Sequence, residues 1–113
     1  MNHKNLGMWE KAIADYTSAI GIDPNLFEAY SDRGIAYTNL GQWDKAIDDY
    51  TRAISLNPEY IKAWSNRGVA YCKLGKWKMA IDDFSRAIEI DPAFSAAYYN
   101  RDIALRNLHQ GKK

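Results

Sequence analysis

Two stretches decide the reading: residues 27–60, FEAYSDRGIAYTNLGQWDKAIDDYTRAISLNPEY, and residues 61–94, IKAWSNRGVAYCKLGKWKMAIDDFSRAIEIDPAF. Laid one on the other without a gap they agree at 17 of 34 positions. The same register extends outward. Gly7, Gly41 and Gly75, Trp9, Trp43 and Trp77, and Pro24, Pro58 and Pro92 all stand 34 residues apart. A fixed period of this length marks a repeat architecture, in which each copy is one supersecondary unit. Here the chain reads as two complete units, 27–60 and 61–94, with the second half of a unit before them (1–26) and a closing helix after them (95–113).

Each unit is expected to be two helices. Within 59–74 the apolar residues Tyr60, Ala63, Trp64, Val69, Ala70, Tyr71 and Leu74 recur at three- and four-residue steps, and Trp77, Ala80, Ile81, Phe84, Ala87, Ile88 and Ile90 do so within 77–90. Gly75 stands between them as a helix stop. Asp23-Pro24, Asn57-Pro58 and Asp91-Pro92 separate the units, and their Asp or Asn is expected to cap the next helix. Short connections make neighbouring helices antiparallel. Apolar residues on more than one face of a pair leave it unable to bury them alone, so stacked pairs must share a core. Gly34 and Gly68 each cost a helix interior about 1 kcal/mol against Ala, which close helix approach would explain. The expected fold is all-α, built from antiparallel hairpins at a 34-residue period.

The pattern resembles the tetratricopeptide repeat family. Tyr30, Trp64 and Tyr98 fill its tryptophan slot, Gly34 and Gly68 its glycine, and Tyr37 and Tyr71 its tyrosine. In second helices Ala12, Ala46 and Ala80 match the first alanine, and Tyr16, Tyr50 and Phe84 the aromatic. Ala19, Ala53 and Ala87 match the second alanine, and the three prolines close the units. The resemblance implies a right-handed superhelix (an α-solenoid) and a non-catalytic scaffold that holds a partner protein or extended peptide in a concave groove. Carried over position by position, the groove residues are Glu28, Ser31, Asp32, Ile35, Thr38 and Asn39, then Lys62, Ser65, Asn66, Val69, Cys72 and Lys73. The last helix adds Ala96, Tyr99, Asn100, Ile103, Arg106 and Asn107. Ile35, Val69 and Ile103 form an aliphatic line, with Asn66 and Asn100 beside it as amide donors and acceptors. Some family members clamp a terminal carboxylate with Lys, Arg and Asn. Here Ser31, Ile35, Ala96 and Asn100 occupy four of those places and only Asn66 fits, so no such clamp is expected.

Departures from the family pattern add two expectations. Its leucine slot holds Arg33, Arg67 and Arg101, while Asp15, Asp49 and Asp83 recur at the same period. Buried guanidinium groups need partners, and pairing Asp15–Arg33, Asp49–Arg67 and Asp83–Arg101 leaves no orphan. In the final helix Asp102 replaces the packing glycine, Leu105 the tyrosine and His109 the turn glycine, as suits a polar cap. Residues 8–21 read as a second helix without its first. Trp9, Ile13, Tyr16 and Ile20 would then be partly uncovered, which suits a longer upstream array or, as the alternative function, self-association such as a homodimer through this edge.

Composition excludes other classes. The 15 basic and 14 acidic residues give a net charge of +1, without the basic excess that phosphate binding draws on, so no nucleic acid is expected. The aromatic residues fall at packing slots. No apolar run approaches the roughly 20 residues that cross a bilayer, no secretory h-region opens the chain, and a cytoplasmic setting is the default. Cys72 is the only cysteine, so neither an internal disulfide nor a Cys cluster for zinc is available. His3 and His109 lie at opposite ends of the chain, and adjacent carboxylates such as Asp48 and Asp49 diverge by about 100° on a helix. No enzyme, metal or cofactor is expected.

Overall fold

The computed structural model describes residues 3–111, with side chains from Gly7 onward; the side chain of His3 lies outside the described part. Among the described residues there are six helices and no strand. They are α1 (His3–Ile22), α2 (Phe27–Asn39), α3 (Trp43–Leu56), α4 (Ile61–Lys73), α5 (Trp77–Ile90) and α6 (Ser95–His109). Two compact units divide them, residues 1–58 and 59–113. In the first, α2 packs against both α1 and α3; in the second, α5 packs against both α4 and α6.

The turn inside each hairpin follows from its glycine. Gly41 and Gly75 take φ of 74° and 72°, the left-handed region that admits glycine without a Cβ clash. Gln42 N–H then bonds Tyr37 C=O at 2.9 Å and Gly41 N–H bonds Thr38 C=O at 3.0 Å; Lys76 to Tyr71 and Gly75 to Cys72 repeat both bonds. This closes the last carbonyls of α2 and α4. The turns are so short that the chain can only reverse, which lays α2 along α3 and α4 along α5.

The seam between those helices is narrow because nothing projects from Gly34 or Gly68. A Cβ on Gly34 would lie 2.7 Å from Tyr50 Cε1, and one on Gly68 would lie 2.6 Å from Phe84 Cε1. The rings fill that space and are all but fully buried. Ala46, Ala53, Ala80 and Ala87 on the second helices are fully buried around them, as are Ala63, Ala70, Ala97 and Ala104 on first-type helices. Small residues thus let the helices approach while two aromatic rings supply the volume.

Three expectations give way. The inter-unit residues Asp23 and Asp91 do not cap α2 and α6, whose N-cap positions are Leu26 and Phe94 and carry no side-chain cap bond. Their carboxylates instead accept the N–H of Asn25 (3.1 Å) and Ala93 (3.0 Å), two residues on. The proline that follows each aspartate makes this a turn of its own ahead of the helix, and the aspartate stabilises that turn. Secondly, α6 does not end where the repeat register puts its glycine: it runs through His109, and Gly111 takes the positive φ of 72°. Thirdly, the charge pairs run inside hairpins, not from one unit to the next.

Candidate functional site

Arg33 donates from Nε to Asp49 Oδ2 and from Nη2 to Asp49 Oδ1, both at 2.8 Å. Arg67 grips Asp83 in the same way, at 2.9 and 2.8 Å. The expected pairs Asp15–Arg33, Asp49–Arg67 and Asp83–Arg101 are therefore incorrect; partners lie 16 residues apart, across the two helices of one hairpin. Asp15 is exposed and has no ion-pair partner among the described residues. Arg101 meets the Ser85 hydroxyl at 3.2 Å, and Arg33 reaches Thr17 in the equivalent way at 3.1 Å. Arg33 takes the Thr17 hydroxyl and the Asp49 carboxylate together, so the hydroxyl contact adds to the ion pair and does not replace it. Each guanidinium also stacks on its own helix's aromatic slot: Arg33 over Tyr30 at 5.7 Å, Arg67 over Trp64 at 5.2 Å, Arg101 over Tyr98 at 5.6 Å.

Burial works to lower the pKa of Arg67, but the hydrogen bond and charge of Asp83 outweigh it, so the guanidinium is held more firmly charged. At Asp83 burial pushes the carboxyl up, with Arg67 pulling the other way. The two shifts carry opposite implications for the pair. Two parallel short bonds from a guanidinium decide for a charged pair at neutral pH. These pairs brace hairpins; nothing in their geometry presents them to a substrate.

The groove residues sort into three groups. Ser31 is fully buried and Ser65 nearly so; both pack into the helix layer, and their assignment to a contact surface is corrected. Thr38 is half-buried and shares a 3.0 Å hydrogen bond with the Tyr50 hydroxyl, while the Asn39 and Asn107 amides bond back to the Ile35 and Ile103 carbonyls at 2.9 Å. Glu28, Lys62, Ala96 and Tyr99 lie toward solvent to differing degrees, and Arg106 shares an ion pair with Asp102 at 2.8 Å. Asp32, Ile35 and Asn66 are placed along the same helices.

In residues 59–113 a third group converges. Val69, Cys72 and Lys73 of α4 meet Asn100 and Ile103 of α6 around a cleft of about 250 Å³, with Trp77 and Phe84 of α5 behind them. The α4 residues fall at steps of three and four, and Asn100 and Ile103 are three apart, so each set lies on one helix face. α5 lies against both helices. Trp77 and Phe84 were legible only as core; their part in the cleft depends on how α4 and α6 flank α5, which no single-helix pattern states. The Trp77 indole N–H is buried without a hydrogen-bond partner. Burial pushes the Cys72 thiol up, and Lys73 opposes this, so the thiol is a poor nucleophile near neutral pH. Among the described residues no group of three His, Cys, Asp or Glu side chains is placed to hold a metal ion, and no helix is long and apolar enough to cross a membrane.

Family comparison agrees with the hairpin geometry. The tetratricopeptide repeat model matches residues 61–94, and the TPR repeat model matches 4–41 and 36–75. The chain belongs to the tetratricopeptide repeat family. No curated protein sequence matches it significantly. Among solved structures, the chain is similar to the first TPR of Spaghetti (RPAP3) bound to the HSP90 peptide SRMEEVD, with 31% identity over 91% of this chain and 82% of that one and a TM-score of 0.89. It is similar to the second TPR domain of human RPAP3 in complex with the HSP70 peptide SGPTIEEVD, with 32% identity, coverage of 87% and 82%, and a TM-score of 0.83. The Sgt2 TPR domain from Aspergillus fumigatus gives 30% identity, coverage of 93% and 71%, and a TM-score of 0.87. The all-α tetratricopeptide repeat fold that the family resemblance implied is thus the fold of this chain.

Proposed function

We propose that this tetratricopeptide repeat chain is a non-catalytic interaction module that holds an extended segment of a partner protein against the cleft of α4, α5 and α6. One observation carries the reading. Val69 and Ile103, one repeat apart in sequence, line a single cleft together with the Asn100 amide and the Lys73 ammonium. An aliphatic pair beside an amide offers a partner a place for one apolar side chain and hydrogen bonds for its backbone. Two of the similar structures hold peptides, which supports the same class of ligand.

The ligand itself differs from theirs in this reading. Both of those peptides end in Glu-Glu-Val-Asp. Ser31, Ile35, Ala96 and Asn100 stand where a carboxylate clamp would place Lys, Asn or Arg, and Ser31 is fully buried. The preferred segment is therefore less acidic, with an aliphatic residue seated between Val69 and Ile103. The contact is short and its affinity is micromolar in class.

Titration of a labelled peptide library tests this, with SRMEEVD included. Aliphatic, weakly charged peptides are expected to bind, and Val69→Asp or Ile103→Asp to weaken them by at least about tenfold while circular dichroism stays unchanged. SRMEEVD binding more tightly than these peptides, or binding insensitive to both substitutions, would overturn the proposal.

A further inference from the structure

The two complete repeats are built alike and charged differently. Residues 27–47 carry three acidic and two basic side chains, whereas the matching residues 61–81 carry five basic and no acidic ones. Every acid of the first stretch is replaced in the second: Glu28 by Lys62, Asp32 by Asn66 and Asp44 by Lys78. The net charge of +1 for the whole chain conceals this contrast. The change is densest around the α4–α5 turn, where Lys73, Lys76 and Lys78 stand in place of Asn39, Gln42 and Asp44. All three lysines are exposed and have no carboxylate partner among the described residues.

The fold does not ask for these lysines. Both hairpins make the same glycine turn with the same backbone hydrogen bonds. Lys76 and Lys78 also stand at the N-terminus of α5, the positive end of the helix dipole, where cations are disfavoured. α3 has Asp44 in its first turn, and α5 has no acid there. Both lysines line a largely apolar cleft of about 320 Å³, together with Gly75, Trp77, Met79 and Leu108. Met79 replaces Lys45 of the first repeat and is 47% exposed.

We propose that the α4–α5 turn is a second docking surface, which takes an acidic segment of a partner protein. Carboxylates of that segment pair with Lys76 and Lys78, and one apolar side chain between them enters the cleft. Charge complementarity sets the sign of the partner. The apolar walls set its class. A nucleic acid needs an exposed ring on which to stack its bases. The exposed apolar side chain among the lysines is instead Met79, whose flexible thioether adapts to protein side chains. Lys76, Lys78 and Met79 do not line the cleft of Val69 and Ile103, so this surface stands or falls separately from the peptide site.

Titration of the full chain with the fluorescent, end-capped peptide EDELDED tests the proposal. Binding in the micromolar class that weakens as salt rises is expected. Lys76→Gln combined with Lys78→Asp installs the residues of the first repeat. It should weaken EDELDED at least about tenfold, leave binding of aliphatic peptides at Val69 and Ile103 unchanged, and leave the protein no less stable in urea. EDESDED, which lacks the apolar side chain, should bind about fivefold more weakly than EDELDED. Any of four binding results would overturn the proposal: no binding at millimolar EDELDED, equal binding by the doubly substituted protein, equal binding of EDESDED, or tighter binding of oligothymidylate or phosphatidylserine vesicles. A doubly substituted protein less stable than its parent would show that the lysines serve the fold, and would overturn it as well.

Discussion

Replacing Gly68 by alanine separates two opposed effects whose sizes follow from the structure. Alanine gains about 1 kcal/mol over glycine in a helix interior. At Gly68, however, the new Cβ would lie 2.6, 2.8 and 3.0 Å from Cε1, Cζ and Cδ1 of Phe84. Those are sub-contact distances to a ring that is fully buried and cannot swing away. Overpacking of this kind costs about 1–3 kcal/mol, and three close contacts on a held ring place it at the upper end. Gly68→Ala is therefore expected to destabilise by about 1–2 kcal/mol net. Gly7 provides the control: it is exposed in α1, and a Cβ added there would meet nothing within 4 Å. Gly7→Ala keeps the helix gain and should stabilise by up to about 1 kcal/mol. Urea denaturation of the two variants reads both numbers. In the double variant Gly68→Ala/Phe84→Leu the two costs should fall short of their sum, since each relieves the other. A Gly68→Ala protein as stable as Gly7→Ala would refute the claim that ring-to-backbone contact sets the hairpin seam.

Other outcomes follow from the same contacts. Burial lifts the Tyr50 hydroxyl to about 12, above its unfolded value near 10; its contribution is complete below pH 10 and lost as pH rises toward 12, at about 1.4 kcal/mol per pH unit. Alkaline denaturation should show that slope and Tyr50→Phe should flatten it, with a loss of about 0.5–1.5 kcal/mol at neutral pH for the Thr38 hydrogen bond; Phe84 already occupies the equivalent place. Asp83→Ala leaves Arg67 without its carboxylate in a largely buried seam, and a loss of about 2–4 kcal/mol in chemical denaturation is expected, somewhat below that of a fully buried pair because the guanidinium retains some solvent. The raised Cys72 thiol should alkylate with iodoacetamide more slowly than a free cysteine at pH 8, and more slowly again when a peptide fills the cleft.

The fold was legible because its determinants are periodic and local. Gly75 announces the turn it makes, and Gly34 and Gly68 imply the close approach that Tyr50 and Phe84 complete. What the sequence obscured were choices among neighbours at nearly equal spacing. Arg67 stands 18 residues from Asp49 and 16 from Asp83, and only the crossing of two helices decides between them. Likewise Asp91 has the chemistry of a helix cap, but Pro92 places it three residues early and it stabilises a turn instead. Gly111 went unread because the register pointed to position 109, whereas α6 simply continues. In the candidate site, Val69 and Ile103 were visible as an aliphatic line, and their meeting with Asn100 follows from helix faces. Ser31 and Ser65 were misplaced because a small polar residue serves equally at a packed layer and on a surface.

The most direct test of peptide capture in the α4–α6 cleft is a chemical-shift map of the isotopically labelled full chain, titrated with an aliphatic peptide selected for binding. The largest changes are expected on Val69, Cys72, Lys73, Asn100 and Ile103, the residues around the cleft, while Asp49 and Asp83 in their seams stay still. Changes centred on other faces, with Val69 and Ile103 unmoved, would contradict it.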